Sequence, residues 1–165
     1  MGDNGIAQLC LNGHLITSTS NDIALKQNYC PACGQVTISM CDKCGTPIKG
    51  SSREISQLTP PFRYSTSLYF KPSYCYSCGD TFPWTNRSKE AAYELISFAD
   101  DLNEQEKDDL KQSIEDLIKD TPKTSIAQVK FKKYATKAGT EIAKGLKDIL
   151  IDLVSETVKK TVWGK

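Results

Sequence analysis

Eight side chains able to ligate a soft or borderline metal ion fall into four short pairs: Cys10 with His14, Cys30 with Cys33, Cys41 with Cys44, and Cys75 with Cys78. Two tetrahedral zinc sites need eight donors, and these pairs use all seven cysteines and the single histidine with none left over. In C-x-x-C a tight turn lets two thiolates converge on one ion, and the three cysteine pairs read CPACG, CDKCG and CYSCG. Gly34, Gly45 and Gly79 can supply the positive φ that follows such a turn. In CLNGH, Gly13 does the related job of bending the chain so that the longer C-x-x-x-H spacing closes. His14 therefore reads as a ligand, in preference to a surface histidine or a catalytic base.

Redox chemistry is the competing reading of an isolated C-x-x-C, but three such motifs with a C-x-x-x-H fit metal better. A four-cysteine site accepts iron in the same geometry, so zinc and iron both stand. No basic segment followed by an apolar one precedes the cysteines, which points to a cytoplasmic chain with free thiols over a secreted one with disulfides. The pairs can combine sequentially, with Cys10, His14, Cys30 and Cys33 on one ion and Cys41, Cys44, Cys75 and Cys78 on the other. They can also cross-brace, first with third and second with fourth. LITSTS and QVTISM alternate and are β-branched, reading as short strands of a ribbon, and this favours the sequential form.

The elements around the ligands follow from composition. With 165 residues, 39% hydrophobic and 25% charged, the chain reads as globular and not membrane-embedded. A head of short strands has little core of its own, yet each structural zinc supplies about 10–16 kcal/mol of apparent binding free energy. That matches the roughly 5–15 kcal/mol net stability of a domain. The expected fold is a small α+β chain. Residues 1–84 form a double zinc ribbon with two structural zincs, and residues 85–165 form an all-α helical oligomerisation region.

Within the helical part, Thr85 reads as the N-cap of a helix running to about Asp101, with Ala91, Ala92, Leu95, Ile96 and Ala99 on one face. Asn103 and Glu106 read as a capping box opening a helix that buries Leu110, Ile114, Leu117 and Ile118. Thr121 caps the next helix, with Pro122 in its first turn. The stretch from there to about Trp163 reads as one long helix, or two joined near Gly139. Its stripe of Ile142, Leu146, Ile149 and Leu153 is widened by Leu150, Ile151, Val154, Val158 and Val162, an arc broader than one neighbour covers. Charges recur too often for a membrane span, so integral membrane association is not expected. A core helix, a self-association surface giving a homo-oligomer, and an interfacial membrane helix are the readings that stand.

Two regions could touch nucleic acid. Eight of the fourteen aromatic residues lie between Phe62 and Trp84, with Arg63 and Lys71 among them and Lys49 and Arg53 upstream. Stacking platforms interleaved with cations suit a single strand, which makes Lys49, Arg53, Arg63, Lys71, Tyr76 and Trp84 candidate RNA contacts. The bland alternative is that these aromatics are the ribbon's core. The second region is VKFKKYATK, residues 129–137, a lysine run that reads equally as a solvated face or as the partner of the acidic segment 100–120.

Catalytic candidates are few. With His14 on a metal no histidine is left for acid–base work, and four protein ligands leave neither ion an open position. RNA cleavage can use the 2′-hydroxyl as nucleophile with cations stabilising the developing charge, so Arg53, Arg63 and Lys71 are weak candidates. Glu54 or Asp80 could act as base. A non-catalytic adaptor that recruits nucleic acid or protein is the rival reading, and a scaffold using only the helices is a third.

The runs AQLCLNGHLITS, YCPACG, TISMCDKCGTPIKG, YCYSCGDTFPWT and DILIDLVSETVKKTVWG resemble a bacterial family catalogued as a domain of unknown function with paired zinc ribbons. They are also similar to the ring-activated zinc-finger RNases of bacterial antiphage defence. The resemblance covers nearly the whole chain and places the zinc ligands on the same eight residues. It implies a homo-oligomeric ring that cleaves RNA when it senses a phage structural protein, and it assigns no catalytic residue.

Overall fold

The computed structural model describes residues 4–19, 26–52 and 69–164. The chain divides into two compact units, Met1–Thr85 and Asn86–Lys165. The expected α+β character holds, with short strands first and helices after.

The first unit is built on β1 (Asn4–Ile6), β2 (Gln8–Cys10), β3 (Leu15–Thr17), β4 (Thr37–Ile38) and β5 (Lys49–Ser52). β1 pairs antiparallel with β5, Asn4 opposite Ser52 and Ile6 opposite Lys49. The other three form an antiparallel sheet in the order β3-β2-β4, with Leu9 opposite both Leu15 and Ile38. LITSTS and QVTISM thus supply strands as their alternation predicts. The core beneath is small: Ala7, Leu9, Ile48, Phe82 and Trp84 pack together with Cys41 and Cys75, flanked by Ile38 and Tyr69. Two of its members are sulfur donors, so the apolar core and the metal-binding chemistry share side chains.

α1 (Pro83–Ser97) starts two residues earlier than Thr85 and stops four before Asp101. Pro83, with its preset φ, occupies the first turn, while Thr85 is buried and its hydroxyl donates to Ser73 O at 3.1 Å. On the expected face Ala92, Ile96 and Ala99 are buried, but Ala91 is exposed.

α2 (Glu104–Lys119) opens with the expected capping box: Glu106 N donates to Asn103 Oδ1 at 2.9 Å, and Asn103 N donates to Glu106 Oε2 at 3.1 Å. Leu110, Ile114, Leu117 and Ile118 are buried as the periodicity requires. α3 (Thr124–Lys137) begins after Thr121, whose hydroxyl accepts from Lys123 N in the preceding turn. Pro122 therefore sits in that turn and not in the helix. The α3 lysines answer the acidic segment: Lys130 pairs with Asp109 at 3.5 Å and Lys137 with Glu106 at 2.7 Å.

The final stretch is neither one helix nor two. Gly139, at φ 99°, ends α3's path, and α4 (Thr140–Leu150) and α5 (Glu156–Trp163) are separated by a second turn. Ser155 Oγ accepts from Val158 N and caps α5. The turn divides the wide apolar arc: Leu146 and Leu150 are buried from α4, Leu153 and Val154 from the turn, and Val158 from α5. Each short helix buries its own face, so the width of the arc gives no argument for self-association. Phe131 and Trp163 meet edge to face, 5.8 Å between ring centroids. Among the described residues no helix is long and apolar enough to cross a membrane.

Candidate metal centres

The three cysteine pairs fold into one repeated loop. In each, the first cysteine's N–H donates to the carbonyl five residues on (Gln35, Thr46 and Asp80, all at 2.8 Å). The glycine N–H donates back to that cysteine's carbonyl, from Gly34, Gly45 and Gly79. These glycines have φ of 69°, 70° and 73°, the left-handed turn their position demands. The residues before and after each loop then bridge as a minimal antiparallel pair: Tyr29 with Val36, Met40 with Pro47, and Tyr74 with Thr81.

The CLNGH loop closes differently. Gly13 N donates to Cys10 O at 2.8 Å and Cys10 N donates to His14 O at 3.0 Å, with Gly13 at φ 84°. A side chain at Gly13 would meet Trp84 Cβ and Lys71 Nζ, both at 2.8 Å, so the loop is pressed against the core.

These loops gather the donors into the two sequential sets, Cys10, His14, Cys30 and Cys33, and Cys41, Cys44, Cys75 and Cys78, all ligand atoms of a set lying within 4.8 Å of one another. Tetrahedral coordination with Zn–S of about 2.3 Å and Zn–N of about 2.0 Å sets S···S near ~3.8 Å and S···N near ~3.5 Å. Cys10 Sγ lies 3.7 Å from Cys33 Sγ, and His14 Nδ1 lies 3.5 Å from Cys10 Sγ and 3.6 Å from Cys30 Sγ. In the second set Cys41 Sγ is 3.8 Å from Cys78 Sγ and Cys44 Sγ 3.7 Å from Cys75 Sγ. These separations fit four donors around one ion and are far longer than the roughly 2.05 Å of a disulfide. Each set can hold a metal ion, and an ion held by all four donors keeps no open position.

The electrostatics of the thiols point the same way. In the first set the Gln35 N–H lowers the Cys33 pKa to about 6, whereas desolvation raises that of Cys10. In the second, Thr46, through its hydroxyl and its N–H, lowers Cys44 to about 6. The Asp80 N–H pulls Cys78 down, but desolvation and the neighbouring thiols Cys44, Cys75 and Cys41 push it up to about 12. One thiolate per set, Cys33 or Cys44, forms readily, whereas Cys10 and Cys78 resist ionising in the absence of a cation.

Lys43 and Asp80, one from each loop of the second set, pair at 3.2 Å and tie the loops together outside the sulfurs. Asp80, a base candidate, is thus occupied by a structural contact. Trp84, expected as a stacking contact, is a correction. It is 1% exposed, stacks on Phe82 with centroids 4.6 Å apart, and donates Nε1–H to Pro72 O at 2.8 Å. Tertiary packing makes it core. Lys71 is half-buried over the Gly13 loop, Lys49 is exposed on β5, and Tyr76 is 70% exposed between the last two cysteines. Arg53, Glu54 and Arg63 lie outside the described residues. Two further aromatics of the first unit, Tyr29 at 64% and Phe70 at 62%, are exposed as Tyr76 is. In the sequence Tyr29 stands beside Cys30 and Phe70 beside Lys71.

No curated protein and no solved structure matches the chain. A family model does match, over residues 4–162, and the chain accordingly belongs to that family, DUF2321, described as an uncharacterized protein conserved in bacteria.

Proposed function

We propose that each centre holds one structural zinc, making the first unit a double zinc ribbon, and that this ribbon works on RNA as a ribonuclease effector of antiphage defence. The observation that carries the RNA reading is the division of the head's aromatics. Phe82 and Trp84 make the core, while Tyr29, Phe70 and Tyr76 stay in solvent on the metal-binding loops and beside Lys71. Exposed rings with neighbouring cations suit the stacked bases and phosphates of a single strand.

Cleavage would proceed by attack of a ribose 2′-oxygen on the adjacent phosphorus. The P–O5′ bond breaks as the 2′-hydroxyl proton leaves and the 5′-oxygen gains one. Cationic side chains, with Arg53, Arg63 and Lys71 as candidates, stabilise the charge on the phosphoryl oxygens. Zinc takes no part in this step. The defence role, the homo-oligomeric ring and the phage structural protein as trigger rest on the sequence resemblance, as does a cytoplasmic setting.

A second reading, a non-catalytic zinc-ribbon adaptor, is favoured by one observation: the only histidine lies within the first ligand set and both sets are closed. The test is to incubate zinc-loaded protein with total RNA, with and without lysate from phage-infected cells, and to run the products on a gel. Cleavage only in the combined sample, lost in Arg53→Ala, Arg63→Ala or Lys71→Ala at unchanged zinc content, supports the ribonuclease. Intact RNA that still co-purifies with the protein supports the adaptor.

A further inference from the structure

A cavity of about 420 Å³ opens in the second unit among α3, α4 and α5. That volume lies in the range of small-ligand sites, roughly 300–1,000 Å³. Part of its wall is apolar, made by Phe131, Ala135, Ala143 and Trp163. The rest carries Lys132, Lys144 and Lys147, with the hydroxyl-bearing Thr136 and Thr140, and no carboxylate.

Several lysines of the unit are held in ion pairs. On α3, Lys130 and Lys137 are matched by Asp109 and Glu106 of α2. On α1 and α5, Lys89 and Lys159 are matched by Glu115 and Glu156. Lys132, Lys144 and Lys147 have no carboxylate within ion-pair distance among the described residues, and all three face one cavity. Three cationic side chains lining one space favour an anion placed beside them.

A monocarboxylate would match one charge of three. A ligand with several negative charges and a planar apolar body uses both halves of the wall: phosphates among the lysines, and a ring against Trp163, whose indole is part-exposed while Phe131 behind it is buried. We infer that this cavity binds a nucleotide polyphosphate, with Lys144, Lys147 and Lys132 holding the phosphates and the Trp163 indole contacting the base. The site draws only on residues of the second unit and is independent of the RNA reading of the ribbon.

The test uses the full zinc-loaded chain titrated with ATP, by calorimetry and by tryptophan emission. The expected result is saturable binding of one nucleotide per chain, tighter than about 1 mM. The double variant Lys144→Ala/Lys147→Ala should weaken it by about tenfold or more, with the helical circular dichroism unchanged. Inorganic triphosphate should bind about tenfold or more weakly than ATP, because it lacks the planar body. In Trp163→Phe the ATP-induced change in emission should vanish, since Trp84 is buried in the other unit. No saturable binding overturns the inference, as does binding that the lysine double variant leaves intact. Equal affinity for triphosphate reduces the cavity to an anion site, and tighter binding of dodecyl phosphate makes it a lipid site; either outcome overturns the nucleotide assignment.

Discussion

Cys41 Sγ and Cys78 Sγ lie 3.8 Å apart although 37 positions separate them in the chain. Closing a loop of that length costs chain entropy, and the small core of the first unit, which itself includes Cys41 and Cys75, has little apolar area to offset it. A metal ion on the four sulfurs would supply the difference, at about 10–16 kcal/mol were it a structural zinc.

Chelation should therefore separate the two units. The second unit has its own core of Leu110, Ile114, Leu117, Phe131 and Leu146, with no metal donor in it. On treatment with a strong chelator, Trp84 emission should shift to the red as its environment opens to water, while most of the 222 nm helical signal persists. Loss of both together would show that the helices depend on the metal.

Gly13 gives a sharper test of how the CLNGH loop is held. Gly13→Ala combines a φ of 84° with a Cβ 2.8 Å from Trp84 Cβ, an atom fixed to the backbone. Gly34→Ala has the same sign of φ, at 69°, but meets nothing within 4 Å. The first substitution should cost the upper part of a ~1–3 kcal/mol strain penalty plus the clash, and the second about 1 kcal/mol. The measure is metal retention against a competing chelator. Equal losses would mean that the contact with Trp84 carries no weight.

The helical unit should show an acid-sensitive contact. Burial opposes ionisation of Glu115, but the Tyr93 hydroxyl donating to it and Lys89 at 3.1 Å outweigh that and hold its pKa below the ordinary 4.5. A carboxyl depressed on folding stabilises fully above its unfolded pKa, and that contribution is lost as pH falls through the folded value. Thermal melts should show Glu115→Gln less stable than the parent at neutral pH, with the gap closing below about pH 4.5. A gap constant with pH would contradict this.

If the proposed RNA contact is made by the exposed rings, Tyr76→Ala and Phe70→Ala should each weaken single-stranded RNA binding by about 1–3 kcal/mol, the usual range for a stacked base. Zinc content should not change. Unaltered affinity in both variants, measured at one fixed salt concentration, would remove these rings from the interface.

Much of this arrangement is legible in the chain. Ligand spacing marks the four donor pairs, Asn103 and Glu106 mark the start of α2, and the acidic and basic blocks mark the α2–α3 pairing seen in Glu106 with Lys137. Which donor pairs combine is not fixed by spacing, because it depends on how the strands bring distant loops together. Trp84 misleads because an aromatic ring among cations has the same local pattern whether it stacks on a base or on Phe82. The α4–α5 turn hides within an apolar run, where Ser155 before Glu156 is the one capping signal.

Quantitative metal analysis of the purified chain tests the central claim most directly, alongside His14→Ala and Cys78→Ser variants. The account predicts two zinc ions per chain and the loss of one ion in each variant, from the first and second donor sets respectively. A chain that folds with no bound metal, or in which either single variant loses both ions while the rest of the first unit stays folded, would contradict two independent four-ligand centres.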